Sequence, residues 1–277
     1  DDVDYISCHA YYEEKDGDIG SFLASAVDMD AFIESVVATI DHVKAAKGSD
    51  RVVNISFDEW NVWYNQRFES VDKIQGVDNW PTAPRLLEDA YSVADAVVVG
   101  SLLISLLKRA DRVTSASLAQ LVNVIAPIMT EPGGIAWRQT TFFPFALTSA
   151  LASGEVVTTR LECATYETRQ YGEVPTLDAV TTYDEATGRT SIFVVNRSQS
   201  ESSRLEFDLD ALGPVSGARA QTLSDTDIYA MNTLADPERV AVRPNESLVV
   251  EGHRCRIELP AVSWTVITID SAPATTV

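Results

Sequence analysis

Two textures divide this chain of 277 residues, and together they predict an α/β half followed by an all-β half. Over residues 1–153, three strand-like runs each lead through a polar loop into a helix pattern. Repeats of that kind indicate right-handed strand–helix units, as in a (β/α) barrel or a doubly wound sheet. Over residues 154–277 the pattern changes to short β-branched runs separated by polar turns, which predicts an antiparallel β-sandwich. The third observation is the run 52–64. It begins as a nearly continuous β-branched and aromatic stretch, as a parallel strand buried on both faces would, yet ends in Asp58-Glu59 flanked by Trp60, Trp63 and Tyr64.

Taken in order, residues 4–9 predict a short strand, followed by a polar loop through Tyr11, Tyr12 and the charged residues 13–17. A helix is expected from about Asp30. Phe32, Ile33, Val36, Val37, Ile40 and Val43 form its apolar stripe, and Lys44, Lys47 and Gly48 close it as the helix dipole and a left-handed cap prefer. The acidic-ended strand comes next. Beyond Tyr64 lie a loop with Gly76 and the segment 80–84, then a long helix from residue 84 or 85 to 109, apolar nearly all round in its second half. Residues 113–119 predict a third strand with Gln120 at its carboxyl end, and a Gly133-Gly134 loop leads to a short helix near 142–152. A complete barrel takes eight such units in about 250 residues. Three units would leave apolar sheet edges open, so further strands are expected from a longer parent chain or a partner. Sandwich strands are expected at 156–159, 180–183, 190–196, 204–209, 248–251, 256–259 and 263–269, with a hairpin turn at Glu185-Ala186-Thr187-Gly188 and a frayed tail from 271.

The composition narrows the partners. With 45% hydrophobic residues the chain can bury a sizeable core. Its 41 acidic against 21 basic residues give a formal charge of −20, which argues against nucleic acid and anionic membrane surfaces but not against neutral sugar polymers. The longest apolar run, 96–107, is too short to cross a bilayer and reads as a buried helix. Three cysteines without paired spacing make no disulfide framework, so a reducing, cytoplasmic compartment fits. His9, His42 and His253 are isolated, and neither a phosphate-cradling glycine loop nor a serine elbow occurs, so no metal or cofactor is expected. The chain starts without Met or a leader, so this start is not expected to be the natural one.

In parallel α/β folds ligands bind at the carboxyl ends of strands, and a carboxylate there, walled by flat aromatic faces, suits a carbohydrate site. Glycosidic bonds are commonly cut by two carboxyl groups, one donating a proton and one attacking or assisting at the anomeric carbon. Glu59 is the candidate for the second role, against the alternative of a helix cap or ion-pair partner. Alternation along a strand gives Asp58 the opposite parity, so it is expected to be structural. His9 and Tyr11 share one face of the first strand: a Tyr hydroxyl there could hold a carboxylate ionised, while His9 could equally be a satisfied core histidine. Trp63 could wall a sugar site or fill a core.

Four stretches, in order, carry a family resemblance: Asp4-Tyr5-Ile6-Ser7-Cys8-His9-Ala10-Tyr11-Tyr12; Ser56-Phe57-Asp58-Glu59-Trp60-Asn61-Val62-Trp63-Tyr64; Ser117-Leu118-Ala119-Gln120-Leu121-Val122-Asn123-Val124-Ile125-Ala126-Pro127-Ile128; and Trp137-Arg138-Gln139-Thr140 with Phe142-Phe143-Pro144-Phe145. They resemble the family-51 glycoside hydrolases, the α-L-arabinofuranosidases. The resemblance implies the last units of a (β/α)8 TIM barrel followed by a jelly-roll-like sandwich. It implies retaining hydrolysis of arabinofuranosyl oligosaccharides with Glu59 as nucleophile, Gln120 bonding the sugar, and His9, Tyr11 and Trp63 around it. Trimers or hexamers would follow from it as well. The family's general acid stands in a Gly-Asn-Glu type word, which this sequence lacks; its Asn245-Glu246 pair lies in the sandwich half. That role is therefore not assigned. A β-xylosidase or endoglucanase of the same clan, and a non-catalytic carbohydrate-binding module, are the competing expectations.

Overall fold

A computed structural model describes residues 3–64 and 87–272 of the chain. The expected Gly76 loop, the segment 80–84 and the end of the tail lie outside those residues.

The first half is built on a three-stranded parallel sheet in the order β1-β2-β3, formed by β1 (Tyr5–Tyr12), β2 (Asn54–Val62) and β3 (Val113–Leu118). Helices follow each strand: α1 (Ile19–Leu23) and α2 (Ala26–Lys47) after β1, α3 (Val93–Lys108) after β2, and α4 (Phe142–Leu151) after β3. The strand–loop–helix repeat is therefore as read, with four differences. Helix begins well before Asp30, in α1 at Ile19, where Asp18 Oδ1 accepts from Ser21 N as a cap, and in α2 at Ala26. β1 runs on through Tyr12, because Tyr11 and Tyr12 pair with Asn61 and Val62 of β2 instead of entering the loop. A hairpin of β4 (Ile128–Thr130) and β5 (Ala136–Arg138), unread in the sequence, carries the Gly133-Gly134 turn. The long helix starts at Val93, not near residue 85, since residues 87–92 are not helical. Its start is fixed by a capping box: Ser92 Oγ accepts from Asp95 N, and Asp95 Oδ2 accepts from Ser92 N at 2.6 Å. Gly48 ends α2 in a left-handed cap, φ 59°, as its position predicts.

Every residue of α3 from Val93 to Leu106 is buried. The helix lies between the parallel sheet and the second half, in a core shared with Phe57, Trp60, Phe193, Val195 and Trp264. This burial explains a run that is apolar all round without crossing a membrane; among the described residues no helix is long and apolar enough to do so.

The second half contains β6 (Glu155–Val157), the hairpin β7 (Thr165–Thr168) and β8 (Gly172–Pro175), β9 (Leu177–Asp184), β10 (Arg189–Asn196), β11 (Ser203–Asp208), β12 (Val215–Leu223), β13 (Arg243–Pro244), β14 (Val249–Glu251), β15 (Arg254–Leu259) and β16 (Ser263–Ser271). A six-stranded sheet, β13-β12-β16-β10-β9-β6, packs against a three-stranded one, β11-β15-β14. Alternation along β10 shows how the larger sheet is used: Ile192 and Val194 face the smaller sheet, Phe193 and Val195 face α3. Both faces are buried, hence the apolar run Ile192–Val195 in β10 and the β-branched run Thr265–Ile269 in β16, with Thr265 and Thr268 buried among the apolar residues. The Glu185-to-Gly188 hairpin forms as expected, with Asp184 Oδ1 accepting from Ala186 N at 3.0 Å and Gly188 at φ 70°. β12 was not legible; its Gly217, Ala218 and Ala220 carry little β preference and are drawn into the sheet by pairing with β16.

Candidate active site

The site forms where β1 and β2 present their carboxyl ends. Ser7, His9 and Tyr11 alternate along β1 and share one face. Opposite them, β2 does not keep strict alternation. Ser7 pairs with Ser56 and His9 with Glu59, so one residue of β1 faces two of β2, Phe57 and Asp58. This bulge turns two consecutive carboxylates toward the same ring. Asp58 therefore does not point away from Glu59, as strand parity alone required; the extra residue cancels the alternation.

His9 stands between the two acids, its Nδ1 3.5 Å from Glu59 Oε2 and its Nε2 3.5 Å from Asp58 Oδ1. Its side chain is 48% exposed in this chain. Ser7 Oγ donates to Asp58 Oδ1 at 2.7 Å and lies 3.2 Å from His9 Nε2. The Tyr11 hydroxyl donates to Glu59 Oε2 at 2.8 Å. Both neighbours of Glu59 meet the same oxygen, and among the described residues none bonds Oε1.

The electrostatics separate the groups. The Ser7 hydroxyl, with help from His9 and nearby backbone amides, holds the Asp58 carboxyl below its ordinary range. Burial, then the hydrogen bond to Glu59 and its charge, push the Tyr11 hydroxyl well above its ordinary value, so it remains a neutral donor. Cys8, between the site residues in sequence, faces the core; burial and then the Asp58 charge push its thiol up, the reverse of an activated nucleophile.

Trp63 packs edge-on against Tyr11, with ring centroids 5.2 Å apart at 71°. It thus braces the tyrosine that binds Glu59. Gln120 is exposed, two residues beyond Leu118, which pairs with Trp60 of β2. Its loop is fastened from below by Asn61, fully buried, whose Nδ2 donates to Ala119 O and to Ile125 O at 2.6 Å. The five expected residues therefore gather at one end of one sheet. Ser7 is not among the expected residues, although the alternation that links His9 and Tyr11 includes it; the direction of Asp58 differs from the expected one because a bulge leaves no mark in sequence. Among the described residues no group of three or more His, Cys, Asp or Glu side chains is arranged to hold a metal ion.

Against this geometry, a family model described as the α-L-arabinofuranosidase C-terminal domain matches residues 58–263. The exo-α-(1→6)-L-arabinofuranosidase of Bifidobacterium longum is 54% identical over 275 residues, covering 96% of this chain and 52% of that protein. The intracellular exo-α-(1→5)-L-arabinofuranosidase of Streptomyces lividans is 53% identical over 272 residues, covering 98% and 40%. A solved family 51 α-L-arabinofuranosidase from Bifidobacterium longum superimposes with a TM-score of 0.87 at 42% identity, over 96% of this chain and 52% of that one. The chain spans about half the length of the curated relatives it matches.

Proposed function

The chain belongs to the α-L-arabinofuranosidase C-terminal domain family, and from that premise we propose that it forms part of a retaining α-L-arabinofuranosidase whose nucleophile is Glu59. The observation that carries this reading is the hydrogen bond from Tyr11 to Glu59 Oε2. A hydroxyl donating to one oxygen fixes the plane of the carboxylate and leaves Oε1 for the attack. In the first step Oε1 bonds to the anomeric carbon of a terminal arabinofuranosyl unit as the leaving oxygen takes a proton. In the second, water displaces Glu59 with net retention. Gln120 bonds the sugar hydroxyls, Trp63 walls the site and braces Tyr11, and His9 holds Asp58 and Glu59 in place.

We do not assign the proton donor to Asp58. A general acid needs its pKa raised toward the working pH, and Asp58 is held low by Ser7. We assign the acid to the part of the whole protein that lies beyond this chain's match to its relatives. On the same reading residues 1–153 are the last three units of a (β/α)8 barrel, residues 154–277 are its C-terminal sandwich, and the exposed faces of β1 are covered by preceding barrel units. The substrates are arabinofuranosyl oligosaccharides, and a cytoplasmic setting is supported by relatives named intracellular. Assembly as trimers or hexamers follows the family resemblance.

The test is a panel of aryl glycosides given to the whole protein. The reading expects arabinose release from the α-L-arabinofuranoside, at a rate at least a hundredfold above that on a β-xyloside or a β-glucoside, a gap of about 2.7 kcal/mol in transition-state binding. Preference for either of the others, or sugar binding without cleavage, would overturn it.

A further inference from the structure

The sandwich half reaches back to the site. Between β12 and β13 the chain makes an excursion, residues 224–242, that leaves the sheet and is stitched onto the start of α3. Val93 N donates to Ala230 O at 3.1 Å and Ala94 N to Ile228 O at 3.0 Å, so this loop supplies acceptors for helix-start amides that have none within the helix. Ser92 pairs with Met231 in an antiparallel bridge. Asn232, 2% exposed, closes the loop: its Nδ2 donates to Val240 O at 2.8 Å and to Arg138 O at 3.0 Å, while its Oδ1 accepts from Val240 N. A segment held this firmly presents its side chains in fixed positions.

What it presents is unusual for a solvated loop. Tyr229 is 50% exposed, beside Met231 at 36% and Leu234 at 46%. The Tyr229 hydroxyl donates to Glu14 Oε1 at 3.1 Å, across 215 positions of sequence. Glu14 stands three residues beyond Tyr11, so its backbone lies within about 11 Å of the tyrosine that binds Glu59. An aromatic ring tied at its hydroxyl, next to a carboxylate whose second oxygen has no hydrogen bond among the described residues, is suited to a sugar ring: C–H groups lie on the negative π face and a hydroxyl donates to the carboxylate. The bond to Glu14 restricts the ring before binding and so reduces the ordering entropy lost on binding.

We infer that Tyr229 and Glu14 form an outer sugar-binding platform, supplied by the sandwich, that holds the part of an arabinofuranosyl oligosaccharide beyond the scissile bond; this rests on the activity proposed above. The sandwich would then shape substrate preference as well as cover a core. The test compares the whole wild-type protein with Tyr229→Ala and Tyr229→Phe on an α-(1→5)-linked arabinotriose and on 4-nitrophenyl α-L-arabinofuranoside, with thermal unfolding as a folding control. Tyr229→Ala is expected to lower kcat/KM on the trisaccharide about tenfold more than on the aryl substrate, chiefly through KM. Tyr229→Phe, which keeps the face and loses the Glu14 tie, is expected to lower it about threefold more. Equal losses on both substrates, or no loss on the trisaccharide, would overturn the platform while leaving the activity standing. If the wild-type protein releases arabinose from neither substrate, the activity fails and the platform with it.

Discussion

Tyr11 reaches diagonally across the sheet to Glu59: its backbone partner on β2 is Asn61, two residues further on, yet its hydroxyl bonds Glu59 Oε2 at 2.8 Å. The edge-on Trp63 ring holds it in that pose. A hydrogen bond to an ionised group contributes roughly 1.5–3 kcal/mol. Tyr11→Phe in the whole protein is therefore expected to lower kcat about ten- to a hundredfold. Burial and Glu59 keep the Tyr11 proton on through and beyond the ordinary tyrosine range, so the alkaline limb of the pH–rate profile belongs to another group. The variant's limb should coincide with the parent's, and a shifted limb would contradict this account.

Asp30, near the start of α2, has its Oδ1 buried with no hydrogen-bond partner among the described residues. Burial raises its pKa, and the Asp178 charge adds to this, against the pull of Lys108, Ser105 and Arg109. An acid raised in the folded state binds its proton more tightly when folded, so it costs stability as pH climbs from the unfolded carboxyl value, about 3.9, through the folded one. Asp30→Asn is expected to be more stable than the parent at neutral pH, with the difference shrinking to nothing as pH falls below that range. Denaturant unfolding at several pH values measures it; a variant less stable at neutral pH would contradict it.

Gly100 faces Trp264, and a Cβ added there would run into the indole Cδ1 and Nε1. Helix propensity alone predicts that Gly100→Ala stabilises by about 1 kcal/mol. The close approach of a fully buried indole predicts the reverse, a loss of about 1–3 kcal/mol from overpacking. Urea denaturation decides between the two signs.

These sites also mark how far the sequence could be read. β10 and β16 were legible because burial on both faces favours β-branched and aromatic residues; β2 was legible from Ile55, Phe57 and Trp60, although it is not buried on both faces, since Asp58 and Glu59 are exposed. The gathering of His9, Tyr11 and Glu59 followed from strand parity and the family resemblance together. Asp58 did not, because a one-residue bulge inverts parity without changing composition. The start of α3 was readable after all in Ser92-Val93-Ala94-Asp95, a capping box overshadowed by the apolar pattern around it. Tyr229 and Glu14 were out of reach, since nothing local in either segment signals a bond between positions 215 residues apart.

The central claim is that Glu59 carries the glycosyl group between the two steps. The most direct measurement is peptide mass mapping of the whole protein after reaction with a 2-fluoro arabinofuranosyl fluoride, which forms the glycosyl-enzyme faster than water can clear it. The account predicts one added glycosyl unit on the tryptic peptide that begins at Val52, at Glu59, and no label in Glu59→Gln. A label on Asp58 or another residue, or steady turnover of the reagent by Glu59→Gln, would contradict it.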